Sequence, residues 1–388
     1  MTRRARTTVG QVLVRCVAGE DWDAPSTTLD ELLRGADLDG LAAAAAFHGV
    51  PGCVHRRLHD NPNVPDAVLD DLRATYHHAR MTHLQTLADL SRIAAVFDSL
   101  DIPWLTVKGP VLSELVYPRP DLRGYTDLDI VVPRHDLRRA LTALDSIGAR
   151  TLDANWDLLT RTHSAEVHLA VGSTLVDLHW HVFNIGELRQ EFPLEMGPLY
   201  ERARRVQLPG CTAPTLDPAD TALHLGVHGC LSGANRLVWL KDIEEATRGD
   251  GFPWTELVDR SRATGAGGAV ASMLLTARRV IGTPVPDDVV AQLAGSSAWP
   301  RLVAGIARAW RPERTAGQRS PLRLVARSTR GDLPSSVAAL ARRSWAAAHD
   351  PRSRWPDLGP TDPADPNAAD HHAGSRAEFL AAVADEPA

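Results

Sequence analysis

The sequence predicts a mixed α/β core enclosed by helical regions on both sides, and three observations lead there. Short apolar runs bounded by Gly and Pro, the pattern of strands, are concentrated in one central stretch, residues 101–209. Apolar residues at helical spacing fill the chain before and after it. The carboxylates of chemical interest lie two apart on a central run, where a strand would set them on one face. Composition agrees: 388 residues, 44% hydrophobic and 23% charged, suffice for two or three domains of a soluble globular protein.

Residues 1–100 read as helical. The segment DELLRGADLDGLAAAAAFHGVPG predicts two short helices, the second rich in alanine and ended by Gly49 and the Pro51-Gly52 turn. From Pro65, Val68, Leu69, Leu72 and Tyr76 keep helical spacing. It resumes with Leu84, Leu87, Leu90, Ile93, Val96, Phe97 and Leu100, so a long helix or a broken pair is expected. His48, His55, His59, His77, His78 and His83 have no compact ligand spacing and read as surface or hydrogen-bonded histidines.

The core begins with a buried strand, Leu105 to Val107, broken by Lys108-Gly109. Pro110 suits the start of a helix, where its missing N–H costs nothing, and the helix Val111 to Tyr117 ends at Pro118. Asp127 to Val132 forms the next strand, closed by Pro133, with Asp127 and Asp129 on one face and Leu128 toward the core. An amphipathic helix runs from Arg134 to Ile147, with Gly148 as its C-cap residue. SAEVHLAV and STLVDLHWHV then form a hairpin around Gly172-Ser173. On its second strand Asp177, His179 and His181 share a polar face, and Val176, Leu178, Trp180 and Val182 the apolar one.

Two carboxylates held this close repel each other unless a cation lies between them, and hard oxygen ligands suit Mg²⁺ or Mn²⁺. Metal-assisted phosphoryl or nucleotidyl transfer is the chemistry this pair suggests, although the bare tripeptide D-x-D more often marks a solvated strand face. Lys108 adds an argument of its own. Of 42 basic residues only Lys108 and Lys241 are lysine. A compact ammonium approaches a phosphate without the breadth of a guanidinium, and Gly109 lets the backbone come close to a ligand.

Taken together, WLTVKG, VYPRPDLRG, TDLDIVV and TLVDLHWHV, continued by LHLGVHG and RLVWLKDIEEA, resemble the DNA polymerase β-like nucleotidyltransferase superfamily. The closest likeness is to its bacterial uncharacterised nucleotidyltransferase family, over roughly residues 40–250. The resemblance implies a polymerase β-like core of mixed sheet and helices, with helical N-terminal and C-terminal additions. It implies Asp127, Asp129 and a third carboxylate, Asp177, as catalytic metal ligands for Mg²⁺ or Mn²⁺, and Lys108, Gly109 and Arg123 at the nucleotide. Asp177 would also draw the proton from the attacking hydroxyl. His179 and His181 could orient Asp177, contact the acceptor or add a nitrogen ligand. In the resembled family the following helical region helps to close the site, which makes His228, Lys241 and Asp242 candidates for substrate contact. Many superfamily members carry Gly-Ser or Gly-Gly where this chain has Lys-Gly, the form of the close family.

Residues 210–350 read as helical again. His224 and His228 stand four apart on one helix, but Leu225 occupies the place where a metallopeptidase needs glutamate. Residues 351–374, rich in Pro, Asp and Ala, read as a disordered linker or tail, and RAEFLAAVADE as a short helix or a frayed end. The net charge of −6 argues against a protein devoted to nucleic acid, and the arginines of residues 301–343 lack interleaved aromatics. Neither a secretory signal nor a membrane-spanning run is expected, and Cys16, Cys53, Cys211 and Cys230 are too scattered for a zinc ribbon or a disulfide framework, which fits the cytoplasm. The expected activity is transfer of NMP from an NTP to a hydroxyl of an acceptor, which could be a small molecule, a peptide or a protein, with release of pyrophosphate. The alternative is a non-catalytic nucleotide-binding protein of the same fold.

Overall fold

The computed structural model describes residues 7–19, 22, 27–313, 320–349 and 375–385. The predicted linker at 351–374 lies outside them. The chain divides into two compact units, one formed by residues 1–83, 112–125 and 218–343 and the other by 84–111, 126–217 and 344–388.

The second unit holds a five-stranded mixed sheet. Its strands are β1 (Leu105–Val107), β2 (Asp127–Val131), β3 (Arg150–Thr151), β4 (Glu166–Val171) and β5 (Thr174–His179), in the order β1-β2-β5-β4-β3. β2 and β5 run parallel, the chain between them passing through the helix Leu137–Ser146, β3, the helix Trp156–Arg161 and β4, and the remaining neighbours are antiparallel. A separate ribbon pairs β6 (Arg204–Leu208) with β7 (Cys211–Thr215).

Alternation along the strands makes the two faces chemically different. Leu128, Ile130, Val167, Leu169, Val171, Val176 and Leu178 face one large core. That core is completed by Leu87, Leu90, Ile93 and Phe97 and by Leu137, Leu141 and Leu144. Phe379, Leu380 and Val383 of the helix Arg376–Asp385 join it, so the last predicted segment is a docked helix. The opposite face has a smaller apolar patch, Leu105, Val107, Val131, Leu199 and Leu216, and otherwise carries acids and histidines.

The predicted hairpin is present, with Gly172-Ser173 as its turn. Gly172 has φ +58°, and a Cβ there would lie 2.6 Å from Asp89 Oδ1. Asp89 in turn accepts a 2.8 Å hydrogen bond from Thr174, which clips the hairpin to the helix Asp66–Ser99. That helix is continuous, which settles the choice between a long helix and a broken pair.

The first unit is helical. Gly52, in the helix Pro51–Leu58, packs so tightly that an added Cβ would meet the Asp121 carbonyl oxygen at 1.7 Å. His48 is fully buried, its Nε2 2.5 Å from the Pro312 carbonyl and its Nδ1 accepting the Leu237 N–H at 3.3 Å. His83 likewise has both ring nitrogens engaged, by Tyr125 and Glu114. These partners fit the reading of satisfied histidines. The four cysteines are unbridged. Among the described residues no helix is long and apolar enough to cross a membrane.

Candidate active site

The polar face of the sheet is assembled by register. Asp129 pairs with Asp177 across the parallel β2–β5 ladder, and Asp177 with His168 across β5–β4. One step along, His179 lies between Val131 and Glu166. Asp127 occupies the same face of β2, two residues before Asp129. The side chains of Asp127, Asp129 and Asp177 therefore project to one side, as expected from the alternation.

Lys108 reaches this row from the end of β1, its ammonium 2.6 Å from Asp129 Oδ1. Its backbone is left-handed, φ +50°, a conformation that strains any residue with a Cβ. Gly109 follows at φ +37°. Burial alone would lower the Lys108 pKa, but Asp129, Asp127 and Asp177 outweigh it and hold the ammonium above the ordinary lysine range. Burial works against ionised Asp129 too, yet Lys108 and His179 hold its carboxyl far below the usual range. His179 Nε2 stands 3.3 Å from Asp129 Oδ1 and 3.7 Å from Glu166 Oε1.

Asp177 is the exception in this row. Burial first, then the negative charges of Glu166, Asp127 and Asp129, push its carboxyl up to about 8. Its Oδ1 is buried with no hydrogen-bond partner among the described residues. A carboxylate crowded by like charges, with an oxygen unsatisfied, is what a divalent cation relieves. Carboxylates gathered on one face are oxygen donors of the kind a hard divalent cation takes. Asp129, Asp177 and His179 also place one ligand atom each within 4.8 Å of one another.

Three further residues belong to this face, although the sequence reading did not single them out. Glu166 and His168 lie on β4, and Asp153 follows β3. Asp153 binds both the backbone N–H of His168, at 2.7 Å, and its Nδ1, at 2.9 Å. Although burial opposes protonation, Asp153 and Glu166 push the His168 imidazole up to about 11. The signal was available: residues equidistant from a two-residue turn at Gly172-Ser173 pair with each other, which sets His168 opposite Asp177 and Glu166 opposite His179.

The other predicted residues are not on these strands. His181 lies beyond the end of β5, where the strand was predicted to continue to Val182. Its Nδ1 accepts the Phe183 N–H at 2.9 Å and its Nε2 donates to the Leu194 carbonyl at 3.0 Å. Arg123, His228, Lys241 and Asp242 belong to the first unit. There Arg123 grips Asp242 through two bonds, 2.7 and 2.9 Å, and Tyr117 donates to the same carboxylate at 2.7 Å. Lys241, fully buried, hydrogen-bonds Glu244 at 2.7 Å and the Gly19 carbonyl at 3.3 Å and pairs with Glu245 at 2.9 Å. His228 packs edge-on against Trp239.

No curated protein matches the chain. The family model described as an uncharacterised nucleotidyltransferase matches residues 34–282, well over half of the chain, and takes in the acidic row, Lys108-Gly109 and the Arg123–Asp242 pair. The chain belongs to this nucleotidyltransferase family.

Proposed function

We propose that the protein is a metal-dependent nucleotidyltransferase that moves NMP from an NTP to a hydroxyl of an acceptor, releasing pyrophosphate. The observation that carries this reading is the alignment of Asp129 with Asp177 on adjacent parallel strands, with Asp127 on the same face and Lys108 at its edge. Asp127, Asp129 and Asp177 would hold Mg²⁺ or Mn²⁺, which when bound polarises the α-phosphoryl group and offsets charge developing in the transition state.

The chain's own residues divide the remaining work. Lys108 neutralises Asp129. When a triphosphate arrives, the ammonium turns to its phosphate oxygens, a short move for a flexible lysine stem. Gly109 leaves room beside it, since a Cβ there would meet only the Asp127 carbonyl, at 3.5 Å. Asp177 would take the proton of the acceptor hydroxyl, from the same face of the sheet as Asp127 and Asp129. His179 holds Asp129 in place through Nε2. Arg123, locked to Asp242, is a preorganised guanidinium, and its role as a nucleotide contact is a proposal carried by the sequence motif.

The reading is tested by incubating the protein with each labelled NTP, Mg²⁺ and a cell extract. Transfer of label to one acceptor with stoichiometric pyrophosphate supports it. Nucleotide binding without pyrophosphate release, under every combination, leaves the non-catalytic alternative.

A further inference from the structure

The cluster formed by Glu166, His168 and Asp177 lies beside the three aspartates and shares only Asp177 with them. Each of its members offers one ligand atom, and these atoms lie within 4.8 Å of one another. All three side chains are buried. Each is also aimed. Asp153, bonded to both the backbone N–H and Nδ1 of His168, fixes the ring so that Nε2 faces the cluster, 3.5 Å from Glu166 Oε1. A carboxylate behind a histidine that points the other ring nitrogen at a shared centre is the arrangement that orients metal-binding imidazoles. Asn184 donates to Glu166 Oε2 at 2.8 Å, which leaves Oε1 as the oxygen turned toward both His168 and His179. Independently of these bonds, Asp177 is nine-tenths buried and its Oδ1 has no hydrogen-bond partner among the described residues. An unsatisfied buried carboxylate oxygen costs free energy that a bound ion would remove.

We infer that Glu166, His168 and Asp177 form a second metal site, which takes a first-row transition ion such as Mn²⁺ or Zn²⁺ in preference to Mg²⁺. The preference follows from the donors, since an imidazole nitrogen with two carboxylates suits these ions better than the all-oxygen shell Mg²⁺ demands. Asp153 is then a positioning residue. The site needs no nucleotide, because every donor comes from the sheet. It rests on the proposed catalytic site only in sharing Asp177, and the two stand or fall on different variants.

The test uses the full-length protein without nucleotide. Mn²⁺ binding is followed by electron paramagnetic resonance, with detection of coupling to imidazole nitrogen, and Zn²⁺ binding by calorimetry. The His168→Gln, Asp153→Asn, His179→Gln and Asp129→Asn variants are compared after thermal unfolding has confirmed that each is folded. Wild type is expected to bind one Mn²⁺ or Zn²⁺ more tightly than Mg²⁺ and to show nitrogen coupling. His168→Gln loses the coupling, and Asp153→Asn weakens binding by about 10–100-fold. Asp129→Asn keeps the coupling, whether or not it still transfers nucleotide. The inference is overturned if coupling vanishes in His179→Gln and survives in His168→Gln, which would put the ion among Asp129, Asp177 and His179. It is equally overturned if wild type binds no ion without nucleotide, leaving His168 an imidazolium paired with Asp153 and Glu166.

Discussion

At the residue scale the site is a balance of charge. Lys108 and Asp129 neutralise each other while buried, and the lysine backbone is held in a left-handed conformation to make the contact. Lys108→Ala is therefore expected to weaken nucleotide binding, and Lys108→Arg not to restore it, because a planar guanidinium is too broad for a place beside Gly109. Calorimetry that finds the same nucleotide affinity in wild type and Lys108→Ala would make the residue structural. Asp177 predicts the opposite trade. Its neighbours Glu166, Asp127 and Asp129 all disfavour its charge, so Asp177→Asn should raise the metal-free melting temperature by about 2–4 °C for each kcal/mol of repulsion removed. The same variant should still bind nucleotide yet transfer far more slowly. A melting temperature that falls, with activity intact, would show Asp177 to be a structural hydrogen-bonding group.

At the element scale, β2, β4 and β5 were legible because apolar and polar residues alternate cleanly and Gly172-Ser173 marks the turn. Where the sequence reading stopped short, the cause is local. β5 ends at His179 because the chain bends there and the His181 ring is taken up by Phe183 and Leu194. The β6–β7 ribbon escaped notice because Arg204 and Arg205 mask its alternation and Pro214 argues against a strand, although Pro209-Gly210 is a good turn signal. The helix Val9–Val17 announces itself through a capping box, Thr8 with Gln11, that was there to be read. Packing between elements is invisible to any local pattern, and Gly52 is the clearest case. Gly52→Ala drives a methyl group into the Asp121 carbonyl and should cost about 2 kcal/mol or more, seen as a lower denaturation midpoint. An unchanged midpoint would mean that the segment around Asp121 yields freely.

At the scale of the whole molecule, Asp127, Asp129, Asp177, Glu166, His168 and His179 share one sheet face of one unit, while the helical unit carries buried ion pairs such as Arg123–Asp242 and the buried His48. Burial lowers the pKa of His48 to about 4, so between that value and the ordinary 6.5 the unfolded chain binds a proton that the folded protein refuses. Stability is then intact above pH 6.5 and declines as pH falls toward 4, by up to about 3 kcal/mol from this residue. Denaturation across that range should show a shallower decline in His48→Gln than in wild type. Equal slopes would remove His48 from the account. Beyond stability, the central claim is that the aspartate row performs metal-dependent nucleotidyl transfer. The most direct measurement is pyrophosphate release, with each NTP and an acceptor-containing extract, for wild type, Asp127→Asn and Asp129→Asn with and without Mg²⁺ or Mn²⁺. Release that requires the metal and is lost in both folded variants is the expected result, and equal release in wild type and both variants would contradict it.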